Sequence, residues 1–374
     1  PLSFLNIDRP ETQFPADQDM YAPEVYQRAA QLMQDRIDSR IYMRDPNRCY
    51  YIYELEMDGR VQTGLVAVCS VDEYEDGTIK RHELTREDKE RDRIEHIRAL
   101  GCQTGPIFLA YRDQPVLDMI LGAAKMATPL YDFVDEENVR QTVWEVKRSD
   151  TVEAIAAMFQ HIPCAYIADG HHRTASAVKV AQQMREEAKA AGTYTGREPF
   201  NYFLSVLFSE DELTILPYNR VVWDLNGHSE EELLKEASKL FEVSGPLKEA
   251  VEPKERGEVG MYLGGTWYDL KLKAGVRPDD PGKGLDVSVL QEKFLAPVLG
   301  IGDPRTDKRI DFVGGIRGVK ELERRCEADM KIAFSMYPTS MEELLSVADA
   351  GLLMPPKSTW FEPKLRSGIF IHRL

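Results

Sequence analysis

The sequence predicts an α/β (α+β) protein of two domains. Three observations carry this: a length of 374 residues, runs of β-branched and aromatic residues that alternate with stretches of helical apolar spacing, and Asp-Gly turn signals between them. One ordinary core does not extend over such a length.

The elements follow in order. Val25, Ala29, Leu32, Met33 and Ile37 recur at helical spacing over residues 22–39, with Pro23 suited to a first turn. Tyr50 to Glu56 and Val61 to Val71 read as strands joined by Met57-Asp58-Gly59-Arg60, a hairpin signal. Thr85 is placed to cap a helix through about Leu100, with Gly101 as its stop. Pro106 to Tyr111 and Val143 to Val146 read as strands, Thr151 to Phe159 as a helix, and Cys164 to Ala168 as a buried strand. That strand runs into Asp169-Gly170-His171-His172-Arg173, after which Ala175, Ala177, Val178, Val180, Ala181 and Met184 mark a helix to about Ala191. Asn201 to Phe208 and Leu213 to Val222 close a first domain spanning 1–224. The second, 225–374, is expected to hold helices at Ser229–Phe241 and Val287–Leu299, strands around Gly264-Gly265 and at Arg309–Val313, and two further helices, with a tail that returns to the site.

Composition narrows the function classes. A net charge of −16, from 63 acidic and 47 basic side chains, disfavours duplex DNA as a partner. Apolar runs are too short to span a bilayer, and no signal-peptide pattern opens the sequence, so a cytoplasmic protein without membrane attachment is expected. Cys49, Cys69, Cys102, Cys164 and Cys326 are odd in number and never spaced as Cys-x-x-Cys, which predicts reduced thiols. A homo-oligomer is compatible with all of this.

The chemistry concentrates at Asp169 to Arg173. A strand that ends in Asp-Gly and feeds a helix points main-chain N–H groups and the positive helix end at one spot, which favours a bound phosphate. Gly170 permits the turn, His171, His172 and Arg173 are expected to add donors of positive or switchable charge, and Asp169 is placed to bind Mg²⁺. The plainer alternative is a capped turn whose histidines are ordinary polar neighbours. Glu83, beside Lys80, Arg81 and His82, has the form of a base that takes a hydroxyl proton while its cationic neighbours hold the substrate; the alternative is a solvated charge run. Lys357-Ser358-Thr359 and Lys364 lie in a Pro-framed segment that could supply further phosphate donors or simply dock the tail.

These residues together resemble the domain-of-unknown-function 1015 family, linked to the SerK-like and ParB-like superfamily. The resemblance runs over essentially the whole chain. It is carried by Ser3-Phe4-Leu5 through Asp8-Arg9-Pro10-Glu11, Arg81-His82-Glu83 with Lys89 and Asp92-Arg93, Tyr166 to Ala177, Leu216-Pro217 with Arg220, Gly314-Gly315, and Met354 to Thr359 through Pro363-Lys364. It implies a ParB/sulfiredoxin-like nucleotide-binding core, ADP or ATP with Mg²⁺, and a stretch of Pro-Pro-Tyr-Asp type ahead of Pro1. It further implies Glu83, Asp169 and His172 as catalytic residues, Gly170, His171, Arg173 and Thr174 around the phosphates, and Arg81 and His82 toward the substrate. Two functions follow as expectations: phosphoryl transfer to a small hydroxyl-bearing metabolite such as free serine, or nucleotide sensing without metabolite chemistry. A non-enzymatic interaction protein is the third class.

Overall fold

The computed structural model describes residues 2–85 and 87–374, and all their side chains except those of Asp88 and Lys89. Lys89, one of the residues that carry the resemblance, therefore lies outside the described side chains. The chain is mixed α/β and divides into two compact units, residues 1–213 with 363–374 and residues 214–362. No helix among the described residues is long and apolar enough to cross a membrane.

The first unit is built on an eight-stranded mixed sheet. Its strands are β1 (Tyr50–Met57), β2 (Arg60–Ser70), β3 (Ile79–Lys80), β5 (Ile107–Tyr111), β6 (Tyr131–Val134), β7 (Arg140–Val146), β8 (Ala165–Asp169) and β9 (Tyr202–Ser209), with the short β4 (Cys102–Gln103) outside it. The spatial order is β3-β8-β5-β9-β2-β1-β7-β6. β3 with β8 and β5 with β9 run parallel, and the remaining pairs antiparallel. The β1–β2 hairpin forms as its Asp-Gly signal predicts, because Asp58 (φ 53°) and Gly59 (φ 77°) both take the left-handed conformation a two-residue turn needs.

Helices α1 (Leu5–Asp8), α2 (Pro23–Asp38), α3 (Val71–Glu75), α4 (Glu87–Leu100), α5 (Pro115–Ala124), α6 (Ser149–Phe159) and α7 (His171–Ala190) cover this sheet. Ala175, Ala177, Val178, Val180 and Ala181 bury one face of α7. Small side chains there let α7 approach the sheet closely, where Ala177, Val178 and Ala181 join Ile107, Leu109, Ile167 and Phe203 in one core. Gly101 (φ 62°) ends α4 as expected.

The second unit holds β10 (Ile215–Leu216), β11 (Tyr218–Val222), β12 (Phe241–Leu247), β13 (Glu258–Leu263), β14 (Thr266–Leu272), β15 (Ile310–Gly314), β16 (Ile332–Met336) and β17 (Trp360–Phe361). Six of these form an antiparallel sheet in the order β12-β14-β13-β16-β11-β15. Its helices are α8 (Glu230–Leu240), α9 (Asp286–Leu290), α10 (Lys320–Ala328) and α11 (Met341–Asp349). Ser229 with Glu232 and Ser340 with Glu343 form reciprocal caps that start α8 and α11. The helix expected over 287–299 is shorter, since α9 passes after Leu290 into a wider π-turn at Gln291–Leu295.

The units also divide at a different place from the expected 224/225. β11 pairs with β15 and β16, so residues 214–224 belong to the second unit. The last twelve residues, 363–374, belong to the first. There β18 (His372–Arg373) pairs with β4, the Gly368 N–H donates to the Thr104 carbonyl at 2.8 Å, and Phe370 packs on the rings of Tyr51 and Tyr53.

Phe370 is buried, so Phe370→Ala is expected to destabilise the protein by about 3 kcal/mol, the ordinary cost of emptying such a site. Chemical denaturation measures it. A loss under about 1 kcal/mol would mean that the tail rests on the first unit without holding it together.

Candidate active site

β8 delivers the turn. Opposite β5 the register slips between Phe108 and Leu109, a bulge that re-aims the end of β8 at Asp169. Gly170 follows at φ 100°, a conformation open to glycine and costly for other residues, and α7 begins at His171. The first N–H groups of a helix have no acceptor within it, so the turn offers donors toward an anion.

Arg173 and Lys364 bring the positive charge. A Cβ on Gly170 would stand 3.2 Å from Nε and Nη2 of Arg173, and one on Gly105 3.2 Å from Nη1, so the two glycines leave the space that the guanidinium fills. Burial lowers the Arg173 pKa against the pull of Asp169, yet a guanidinium stays charged at any neutral pH. Lys364 Nζ donates to Asp169 Oδ2 at 3.1 Å, and the Gly170 N–H donates to Asp169 Oδ1 at 2.9 Å. Burial works to raise the Asp169 carboxyl, but Lys364 and Arg173 outweigh it and hold the group below the usual range. Asp169 is therefore ionised at neutral pH, with 39% of its side chain exposed.

The histidines differ from the expected switchable cations. His82 and His171 are 2% and 5% exposed, and their rings stand edge to face with centroids 4.5 Å apart. Burial pushes His82 down to about 4, and burial with the neighbouring His82, His172 and Arg81 pushes His171 well below its ordinary value. Both are neutral at pH 7, so charge at the turn comes from Arg173 and Lys364 instead. His172 is half-buried, and its carbonyl accepts the Ser176 hydroxyl at 2.8 Å. Its proximity adds to Lys179 and Thr85 in holding the buried Glu90 carboxyl down, against the larger opposing effect of burial.

The other expected residues are distributed as follows. Glu83 is 46% exposed, with Oε2 3.8 Å from His171 Nδ1. Arg81 lies over the Tyr74 ring at 5.6 Å and donates to its hydroxyl at 3.3 Å. Thr174 is fully buried and gives its hydroxyl to the Gly170 carbonyl at 3.1 Å, a bond that shapes the turn. Lys357, Ser358 and Thr359 belong to the second unit, unlike Lys364. There the Lys357 ammonium lies 5.5 Å over Tyr218, and Ser358 donates to the Pro355 carbonyl at 2.6 Å.

Sequence reasoning missed Arg112 and Gly105. Arg112 and Lys80 lie over the buried Tyr166 ring at 6.0 and 5.6 Å, so two more cations flank the strand that carries the turn. No local pattern marks Arg112, whereas the β3–β8 pairing of Lys80 with Tyr166 gives its geometry directly. Among the described residues, three metal-ligating side chains converge at Asp45, Cys49 and Glu145 and not at the turn. A magnesium ion at Asp169 fits only when phosphate oxygens complete its shell, the usual arrangement for this ion.

The buried histidines make stability depend on pH. Unfolded His82 takes its proton below the ordinary value of 6.5 and folded His82 only near 4, so stability falls as pH drops through that window and is unaffected by this group beneath it. His82→Leu is expected to remove about 1.4 kcal/mol per pH unit from the slope of unfolding free energy there, read by denaturation at several pH values. An unchanged slope would mean that His82 is already protonated in the folded protein.

The sequence matches the family described as Protein of unknown function (DUF1015) over residues 1–288. No curated protein matches it. Among solved structures, the fold is similar to a free serine kinase in complex with AMP, at 15% identity and a TM-score of 0.36, covering 79% of this chain and 86% of that one. It is also similar to SbnI with a C-terminal truncation from Staphylococcus aureus, at 16% and 0.39, covering 81% and 85%. A conserved hypothetical protein from Pyrococcus furiosus is similar at 14% and 0.35, covering 81% and 93%. With more than half of its length matched, the chain belongs to the DUF1015 family.

Proposed function

We propose that this protein is a nucleotide-dependent phosphotransferase that moves a phosphoryl group from ADP or ATP to the hydroxyl of a small metabolite, with free serine as the first acceptor to test. The observation that carries the reading is the convergence of Arg173 and Lys364 on the turn at the start of the 20-residue helix α7, beside the partly exposed carboxylate of Glu83. Phosphoryl transfer asks a protein mainly for positioning and for charge where phosphate oxygens gather, and this arrangement offers both.

In this reading the N–H groups at the start of α7, with Arg173 and Lys364, hold the phosphates. Asp169 would hold a magnesium ion, which would supply positive charge to the transferred group. Glu83 takes the acceptor's hydroxyl proton, the oxygen attacks the terminal phosphorus, and the bond from that phosphorus to the bridging oxygen breaks, leaving AMP or ADP. His172 stands beside the phosphates, and Arg81 leaves Tyr74 to meet the acceptor. A nucleotide sensor without metabolite chemistry uses the same phosphate site and differs in having no turnover.

A thermal-shift series with ADP, ATP and pyrophosphate, with and without Mg²⁺, tests the binding step. The nucleotides are expected to raise the melting temperature by mass action. Arg173→Ala should abolish the rise; an unchanged rise would make the turn structural. Product analysis with pooled amino acids then separates transferase from sensor. Glu83→Gln should bind nucleotide like the parent yet lose on the order of 10²-fold or more in turnover, while transfer at the parental rate would remove Glu83 from the chemistry.

A further inference from the structure

His171 opens α7, yet its side chain is buried and its two ring nitrogens face different partners. Nε2 lies 3.5 Å from the main-chain N–H of His82. A main-chain N–H only donates, so Nε2 accepts and carries no proton. A neutral imidazole keeps one ring proton, which therefore sits on Nδ1. Nδ1 lies 3.8 Å from Oε2 of Glu83. A doubly protonated ring would set two donors against each other at Nε2. The His82 ring, inclined at 78° to that of His171, packs against it and restricts its rotation.

We infer that His171 is a positioning residue: held as the neutral Nδ1–H tautomer by the His82 main-chain N–H, it donates toward Glu83 and orients that carboxylate for the acceptor hydroxyl. The inference rests on the reading of Glu83 as the base. It replaces a phosphate-binding role for His171 with one suited to a neutral, buried ring. Glu83 lies on the irregular stretch 81–85, so restraining its carboxylate removes rotamers that would otherwise have to be frozen as the acceptor binds. A separation of 3.8 Å is longer than a hydrogen bond, and catalytic contacts of this kind commonly tighten only around bound substrate.

Long-range ¹⁵N–¹H correlation spectra of histidine-labelled protein at neutral pH test the tautomer without any assay of activity. The expected pattern is a protonated Nδ1 and an unprotonated Nε2 on His171, with the Nδ1 resonance moved by Glu83→Gln. A proton on Nε2, or a His171 ring indifferent to Glu83→Gln, overturns the inference. In the transfer assay, His171→Asn places an amide donor where Nδ1 was, whereas His171→Gln reaches the Nε2 position. His171→Gln is expected to lower kcat on the order of 10- to 100-fold with nucleotide affinity unchanged, and His171→Asn to restore most of it. Equal loss in both variants, accompanied by lost nucleotide binding, returns His171 to the phosphates and overturns the inference. A parent protein that transfers no phosphate sinks the proposed function instead, and the spectra then decide the tautomer alone.

Discussion

The bond between the Asp169 carboxylate and the Lys364 ammonium joins positions 195 residues apart, and it ties the end of β8 to the returning tail of the first unit. Asp169 ends a strand beside a bulge, at the start of a long helix, where a half-buried anion needs a nearby counter-charge. The chain provides that charge from its last twelve residues. To do so it must return to the first unit after forming the second, so residues 214–362 are an insertion in sequence whose flanks both belong to the first unit. The tail is secured along its length: the Pro363 carbonyl accepts from Gln62, Arg366 pairs with Asp135 at 2.9 Å, and Phe370 fills the space beside Tyr51 and Tyr53. With so many attachments, the position of Lys364 is set by the fold and not by the ion pair alone.

Around this pair the local charge runs against the chain's net −16. Arg173 and Lys364 act on Asp169, while Lys80 and Arg112 lie over Tyr166 on the same strand. The neutral His82 and His171 serve differently. They occupy the space behind the turn with flat, polar rings, and they do so without adding charge that would compete with Arg173 for Asp169.

What the sequence disclosed was whatever a local rule decides. Asp58-Gly59 makes a hairpin because only a few residues adopt two successive left-handed conformations, and the alanine and valine spacing after Arg173 makes a helix because one face must be apolar. The strand-turn-helix order around Gly170 was legible for the same reason. What stayed hidden depends on partners distant in the chain. β11 reads as a strand in either domain, and its pairing with β15 and β16 assigns it to the second. The Pro-framed segment from Met354 to Lys364 looks continuous, yet Lys357 lies in one unit and Lys364 in the other. The charge state of His171 could not be read from its basic neighbours, because burial decides it and burial is a property of the packed chain.

The first turn of α7 illustrates how the two kinds of constraint combine. Thr174 gives its hydroxyl to the Gly170 carbonyl, and Ser176 gives its own to the His172 carbonyl and lies 3.2 Å from that of Glu90. Hydroxyls spent on carbonyls in this way do not compete for the N–H groups at the helix start, which remain directed toward the turn. Arg173 enters the space left by Gly105 and Gly170, and a side chain at either glycine would press on the guanidinium. Local sequence thus prepares a helix end whose first N–H groups lie at the turn, and long-range packing then places Arg173, Lys364 and Asp169 around it. In the proposed reading the two features divide the work, the helix end meeting an anion and the carboxylate meeting the cation that accompanies it.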